Sequence, residues 1–139
     1  MASWKLQDVS KKMKELDICL LSSQTNDGEI NARPMSNNGD VEYDGNSFFF
    51  SSEDSHVVKE IEENNHVSLS FNGKRDLYIA VIGEADLVRD REEMEEHWNK
   101  DLEKWFEEGL DTPGIVMIHV EASRIRYWEG GEQGEIEVG

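Results

Sequence analysis

FFFSSEDSHVVKEIEEN, residues Phe48 to Asn64, changes character twice in one short run. The three aromatics mark a strand, because flat, wide side chains pack well on a pleated surface. Ser51, Ser52 and Ser55, mixed with Glu53 and Asp54, then supply turn and cap chemistry. Val57, Val58 and Ile61 follow at helical spacing, which predicts a helix over about Asp54 to Asn64. Capping needs only one hydroxyl, and three are present. The exposed N–H groups and positive dipole end of a helix start also favour a phosphate, so the same turn is a candidate anion site. Glu53 and Asp54 argue the other way, since they can satisfy the helix terminus themselves and would repel an anion held close by.

Working outward, the flanking segments read as strands. Asp17 to Ser36 is a hairpin turning at Asn26-Asp27-Gly28, where Gly28 supplies the positive φ of a tight turn. Asn37-Asn38-Gly39-Asp40 and Tyr43-Asp44-Gly45-Asn46 bracket a short strand at Val41 to Tyr43 and open a longer one at Ser47 to Ser51. In His66 to Phe71, Val67, Leu69 and Phe71 alternate with polar residues, the pattern of a half-buried strand. Leu77 to Val88 is a long strand with Gly83 midway, where a bulge or close backbone approach is expected. Ile115 to Trp128 is the last strand. Helices are expected at Ser3 to Leu16, with Ser3 as N-cap, and at Arg89 to Glu108, where Met94, Trp98, Leu102, Trp105 and Phe106 form a stripe. The residues after 129 are acidic and glycine-rich and read as a disordered tail, leaving one domain over residues 1–129. The sum is an α+β, mainly β, domain built on an antiparallel barrel with flanking helices.

Composition narrows the function. The 139 residues, 37% hydrophobic, suit one core. No apolar run approaches the roughly 20 residues of a membrane span, and no signal pattern opens the chain, so a cytoplasmic protein is expected. Thirty-one acids against 14 bases give a net charge of −17, which repels nucleic acid and anionic membranes alike. Cys19 is the only cysteine and sits in an apolar run, so it reads as a buried thiol. The four histidines are scattered without metal-ligand spacing, and no nucleophile elbow, Walker loop or dinucleotide glycine motif is present. No catalytic residue and no metal site follow from the sequence.

What remains is a sparse set of anion-binding groups on an acidic chain. Arg33, in INARPMS, is the only basic residue between Lys14 and Lys59. It could pair with Glu29, or it could join Ser51, Ser52 and Ser55 on one anion.

The order of ICLLSSQTNDGEINARPMS, SFFFSSEDSHVVKEIEENNHVSLSF, YIAVIGEADLVRD, a W…WF helix and IRYWEGG resembles the general stress protein branch of the pyridoxamine 5'-phosphate oxidase-like, FMN-binding split-barrel family. The resemblance implies a six-stranded antiparallel split barrel that dimerises with itself and holds FMN, or FAD in its place, at the interface. Arg33 and Met35 would lie along the flavin, Phe50 and Ser51 beside its ribityl chain and phosphate, and Ser55 at the phosphate. Flavin-dependent oxidoreduction in a stress response is the activity it implies. There are two departures. Similar sequences carry lysine, sometimes after arginine, just beyond the serine matching Ser55, where this chain has His56 and Val57; Lys59 is the nearest cation and the residue that could compensate. The basic, histidine-containing end with which the true oxidases hold pyridoxal phosphate is also missing, which disfavours that activity. The alternative is a non-catalytic split-barrel binding module that has lost its phosphate clamp.

Overall fold

The computed structural model describes residues 4–37 and 42–138. Helix α1 spans Leu6–Met13 and packs Val9 and Met13 into the core. Its cap is Lys5, whose backbone N–H donates to the Asp8 carboxylate at 2.8 Å. Ser3, the expected cap, lies outside the described residues. Strands β1 (Ile18–Gln24) and β2 (Ile30–Ser36) form the expected hairpin, with Gly28 at φ 91° in its turn. Of the short strand expected at Val41 to Tyr43, Val41 lies outside the described residues, and Glu42 and Tyr43 are in no strand. Then follow β3 (Asn46–Ser52), α2 (His56–Glu63), β4 (His66–Asn72) and β5 (Tyr78–Val88). Helix α3 (Arg91–His97), two single 3₁₀ turns at Lys100–Lys104 and Gly109–Asp111, β6 (Ile115–Glu129) and β7 (Glu132–Glu137) complete the chain.

All pairings are antiparallel, in the order β2-β1-β4-β5-β6-β3, and β7 adds to β6. Strand β6 is long enough to serve three neighbours. Its first half pairs with β3, its second half with β7, and β5 runs along both. The end strands β2 and β3 are not paired to each other, so the curled sheet keeps a seam, the mark of a split barrel. Inside it, Leu21, Leu69, Phe71, Ile79, Val81, Ile118 and Ile125 are almost wholly buried, and Val58 of α2 closes one end. Each such side chain contributes about 1.5–3 kcal/mol relative to exposure. Cys19 is part of this core, and burial pushes its thiol pKa up to about 12, so it is inert as a nucleophile. A smaller cluster of Phe50, Met94, Leu102 and Met117 lies under α3.

Two expectations are corrected. The segment after 129 is ordered as β7, because Gly130 and Gly131 (φ 53° and 97°) make a two-residue hairpin turn from Glu129 to Glu132. Ile136 and Val138 pack against the core, and Gly134 leaves room for the Tyr127 ring, which an added Cβ would strike. The helix expected over Arg89 to Glu108 instead ends at His97. Trp98 is extended (ψ 140°), and Asn99 starts a new turn by accepting the Asp101 N–H at 2.9 Å. The break lets consecutive residues reach β3: His97 stacks on Phe48 with centroids 3.5 Å apart, and Trp98 meets Phe50 edge-on at 4.9 Å. Trp105, expected on the buried stripe, is 70% exposed as a result.

Gly83 occupies the expected bulge. Ile82 pairs with Arg124 but Gly83 pairs with Ala122, so Ser123 is extra and turns its hydroxyl to donate to the Ile82 carbonyl at 3.0 Å. A Cβ on Gly83 would collide with the Glu121 carbonyl, which is backbone and cannot swing aside. Gly83→Ala is therefore expected to lower the unfolding free energy by about 1–3 kcal/mol, seen as a lower urea midpoint at unchanged slope.

Candidate functional site

The sequence left Arg33 to pair with Glu29 or to join the serines of the β3–α2 turn; in the structure its polar partners are Leu21, Ser23 and, on helix α2, Glu60, and the serines bond among themselves at the start of the same helix. Ser55 is the N-cap, its hydroxyl accepting from the Val58 N–H at 3.4 Å. The Ser51 hydroxyl donates to the Ser55 hydroxyl at 2.9 Å, and the Ser52 carbonyl accepts the Ser55 N–H at 3.0 Å. The three serines thus form one capping cluster. Five residues into the helix, about 7.5 Å along its axis, Glu60 turns inward toward β1 and β2. Arg33 meets it there at 3.5 Å.

Glu60 is the residue that sequence reasoning missed. Its carboxylate is buried, and it accepts from Ser23 at 2.7 Å and from the Asn31 amide at 3.2 and 3.3 Å. Burial alone would raise its pKa. The hydrogen bonds from Ser23 and Asn31, and then the charge and hydrogen bonding of Arg33, outweigh burial and hold it below its ordinary value. A signal existed: Glu60 lies among Val57, Val58 and Ile61 on the inward face of α2, where an acid needs a partner. That partner is Arg33, which therefore pairs with Glu60 and not with the Glu29 weighed for it from sequence.

Arg33 is held from three sides. One terminal nitrogen donates to the Leu21 carbonyl at 3.1 Å and to the Ser23 hydroxyl at 2.7 Å, while the other faces Glu60. A guanidinium has five N–H groups, so these contacts leave capacity for a further acceptor. Glu53, feared as a repulsive group at the helix mouth, is turned aside by Arg89, which donates to it at 2.6 and 3.2 Å. Lys59 is exposed on α2, and His56 is exposed in its first turn. Val57 is only 4% exposed and belongs to the core, so the position expected to carry a phosphate-binding cation points inward in this chain. Met35 is partly buried against the core, and the Phe50 side chain is 7% exposed, packed with Trp98 and Met117. Phe50 therefore turns its ring to the interior.

A second feature lies along the same two edge strands. A cavity of about 190 Å³ opens between the end of β2, the start of β3 and the end of α3. Phe48 and His97 line it, and Phe48 is sandwiched between His97 and His119. Among the described residues no group of three or more His, Cys, Asp or Glu is placed to hold a metal ion, and no helix is long and apolar enough to cross a membrane.

Comparison with known proteins gives three findings. The sequence matches the family described as pyridoxamine 5'-phosphate oxidase like over residues 5–138. General stress protein 26 of Bacillus subtilis (strain 168) is 34% identical over 86 residues, 59% of this chain, and the chain spans 61% of the length of that curated relative. Among solved structures, a Clostridium acetobutylicum protein related to general stress protein 26 has a TM-score of 0.83 at 17% identity, covering 96% of this chain and 94% of that one. A heme binding protein from Mycobacterium smegmatis has a TM-score of 0.76 at 11% identity, covering 99% of this chain and 60% of that one. At such identities both structures speak for the fold alone.

Glu60→Gln tests the network that holds Arg33. It is expected to lower stability at neutral pH by about 2–3 kcal/mol, because Arg33 loses its counter-charge. The folded-state pKa of Glu60 is depressed from 4.5, so the stabilisation is complete above that value and is lost as pH falls through the folded one. Urea titrations of both proteins should therefore draw together as pH falls from 4.5 and converge only below the lowered folded-state pKa of Glu60.

Proposed function

The chain belongs to the pyridoxamine 5'-phosphate oxidase-like family, and from that premise we propose that it is a cytoplasmic, flavin-binding stress protein that works as a homodimer. The observation that carries the reading is the joining of the capping serines and Arg33 through one helix, beside the seam between β2 and β3. FMN, or FAD in its place, would set its phosphate against Ser51, Ser52 and Ser55 at the α2 mouth, with Lys59 on the exposed side. Arg33 and Met35, successive same-face residues on β2, would support the flavin along that strand. When bound, the flavin supplies hydride and electron chemistry. The chain's own groups bind and orient it: cap N–H groups and hydroxyls donate to phosphate, and Arg33, fixed by Glu60 and Ser23, presents its remaining N–H groups without having to be ordered on binding.

The outer face of the sheet supports the dimer. Pro34, Leu20, Ser70 and Ala80 lie in register across β2, β1, β4 and β5; beside them Ile18 pairs with Ser36, and Tyr78 with Asn72 and Trp128, around one surface. Ile18, Leu20 and Tyr78 are each about half exposed, an apolar patch that a second copy would cover. Flavin-dependent oxidoreduction is the activity this assembly would host.

A second reading, a non-catalytic module without a phosphate clamp, draws on the inward-facing Val57 and on the pairing of Arg33 with Glu60. Comparing FMN with riboflavin, which lacks the phosphate, separates the two. A working clamp makes FMN bind at least about tenfold tighter, and Arg33→Ala and Ser55→Ala each narrow that ratio. Equal affinities favour the module. A thermal midpoint unmoved by saturating FMN, FAD and riboflavin removes the flavin reading altogether.

A further inference from the structure

The cavity beside α3 has a lining that the flavin reading does not use. Its walls come from Asn37 after β2, Tyr43, Phe48 of β3, and His97, Trp98 and Asn99 where α3 breaks. At about 190 Å³ it is smaller than the roughly 300–1,000 Å³ of sites for drug-sized ligands, so it fits one substituted ring. Three near-parallel rings run through the protein toward it. His119 and Phe48 lie 4.7 Å apart at 12°, and Phe48 and His97 lie 3.5 Å apart at 10°. His119 is fixed from outside this stack by donating Nε2–H to the Asn46 side-chain oxygen at 2.7 Å. Of the three rings, only Phe48 and His97 reach the cavity, and both faces of Phe48 are covered, so His97 is the end of the stack. Stacking occupies one face of that imidazole and leaves its two ring nitrogens to polar groups.

Charge restricts the occupant further. Lys14 and Glu96, both exposed, stand at the rim with opposite signs, and among the described residues no cluster of cations faces the cavity to take a phosphate or carboxylate. The net charge of −17 adds a general bias against anions. Asn37 commits its NH₂ to the Met13 and Leu16 carbonyls at 3.4 and 2.7 Å, so toward a ligand it can only accept. The break in α3 gains a purpose in this light, because a continuous helix could not bring His97, Trp98 and Asn99 together at one wall.

We propose that this cavity binds an uncharged, single-ring aromatic molecule bearing a hydrogen-bonding substituent, which continues the His119–Phe48–His97 stack and is held through the ring nitrogens of His97. The site is distinct from the α2 mouth and does not depend on flavin being bound.

Nicotinamide, with nicotinate as its anionic counterpart of the same shape, tests this on the flavin-free protein by two-dimensional amide NMR. The expected result is saturable shifts confined to Asn37, His97, Trp98 and Asn99, with nicotinate at least about tenfold weaker. His97→Phe keeps the stack but removes both nitrogens; it should leave the thermal midpoint nearly unchanged and weaken nicotinamide binding about fivefold, the equivalent of one hydrogen bond. Equal or tighter binding of nicotinate, undiminished binding by the Phe variant, or no localised shift at millimolar nicotinamide each overturns the proposal. Repeating the titration with saturating FMN keeps the two sites apart: unchanged affinity supports a separate site, and strict competition overturns it. Failure of FMN to bind leaves the nicotinamide result standing.

Discussion

The structure depends on one strand keeping three neighbours. Strand β6 joins β3, β5 and β7, and the bulge at Ser123, where β5 approaches closely through Gly83, falls between its two halves. On one side of the bulge β6 carries the strand that leads into α2; on the other it carries the returning chain end. The seam between β2 and β3 lies where the strand order ends. Sheet closure would have consumed the backbone groups of those edges, whereas the split leaves them beside a helix mouth.

At that mouth the chain handles its acidity locally. Glu53 is drawn to Arg89, and Glu60 is held inward by Ser23, Asn31 and Arg33. A carboxylate so near the serines would oppose an anion if it faced outward; buried and compensated, it serves instead to fix Arg33. The guanidinium keeps its orientation at the expense of part of its net charge. That balance is what divides a flavin-binding protein from a module with a weakened clamp, and it is set by a pair of residues distant in sequence.

Much of this was legible beforehand. Period-two alternation gave β4, Gly28 and Gly83 gave the hairpin and the bulge, and the hydroxyl cluster gave the cap of α2. The failures have physical causes. Acid-rich composition suggested disorder after residue 129, but Gly130-Gly131 is itself a hairpin signal, and the apolar Ile136 and Val138 had a core to join. Helical periodicity through Trp98 and Trp105 concealed a break, because stacking of His97 on Phe48 is a tertiary interaction that no local pattern carries. The Arg33 partner was invisible for the same reason: Glu60 is near it only after β1 and β2 pair and α2 packs across them.

Strand β7 has a final consequence. It covers the outer edge of β6 and becomes an edge itself, with Glu132, Glu135 and Glu137 spaced along it. Two copies meeting edge to edge there would oppose like charges at every second or third residue, so extending the ladder from one molecule to the next is disfavoured. The acidic terminus, the least core-like part of the sequence, thereby acts as a guard against aggregation.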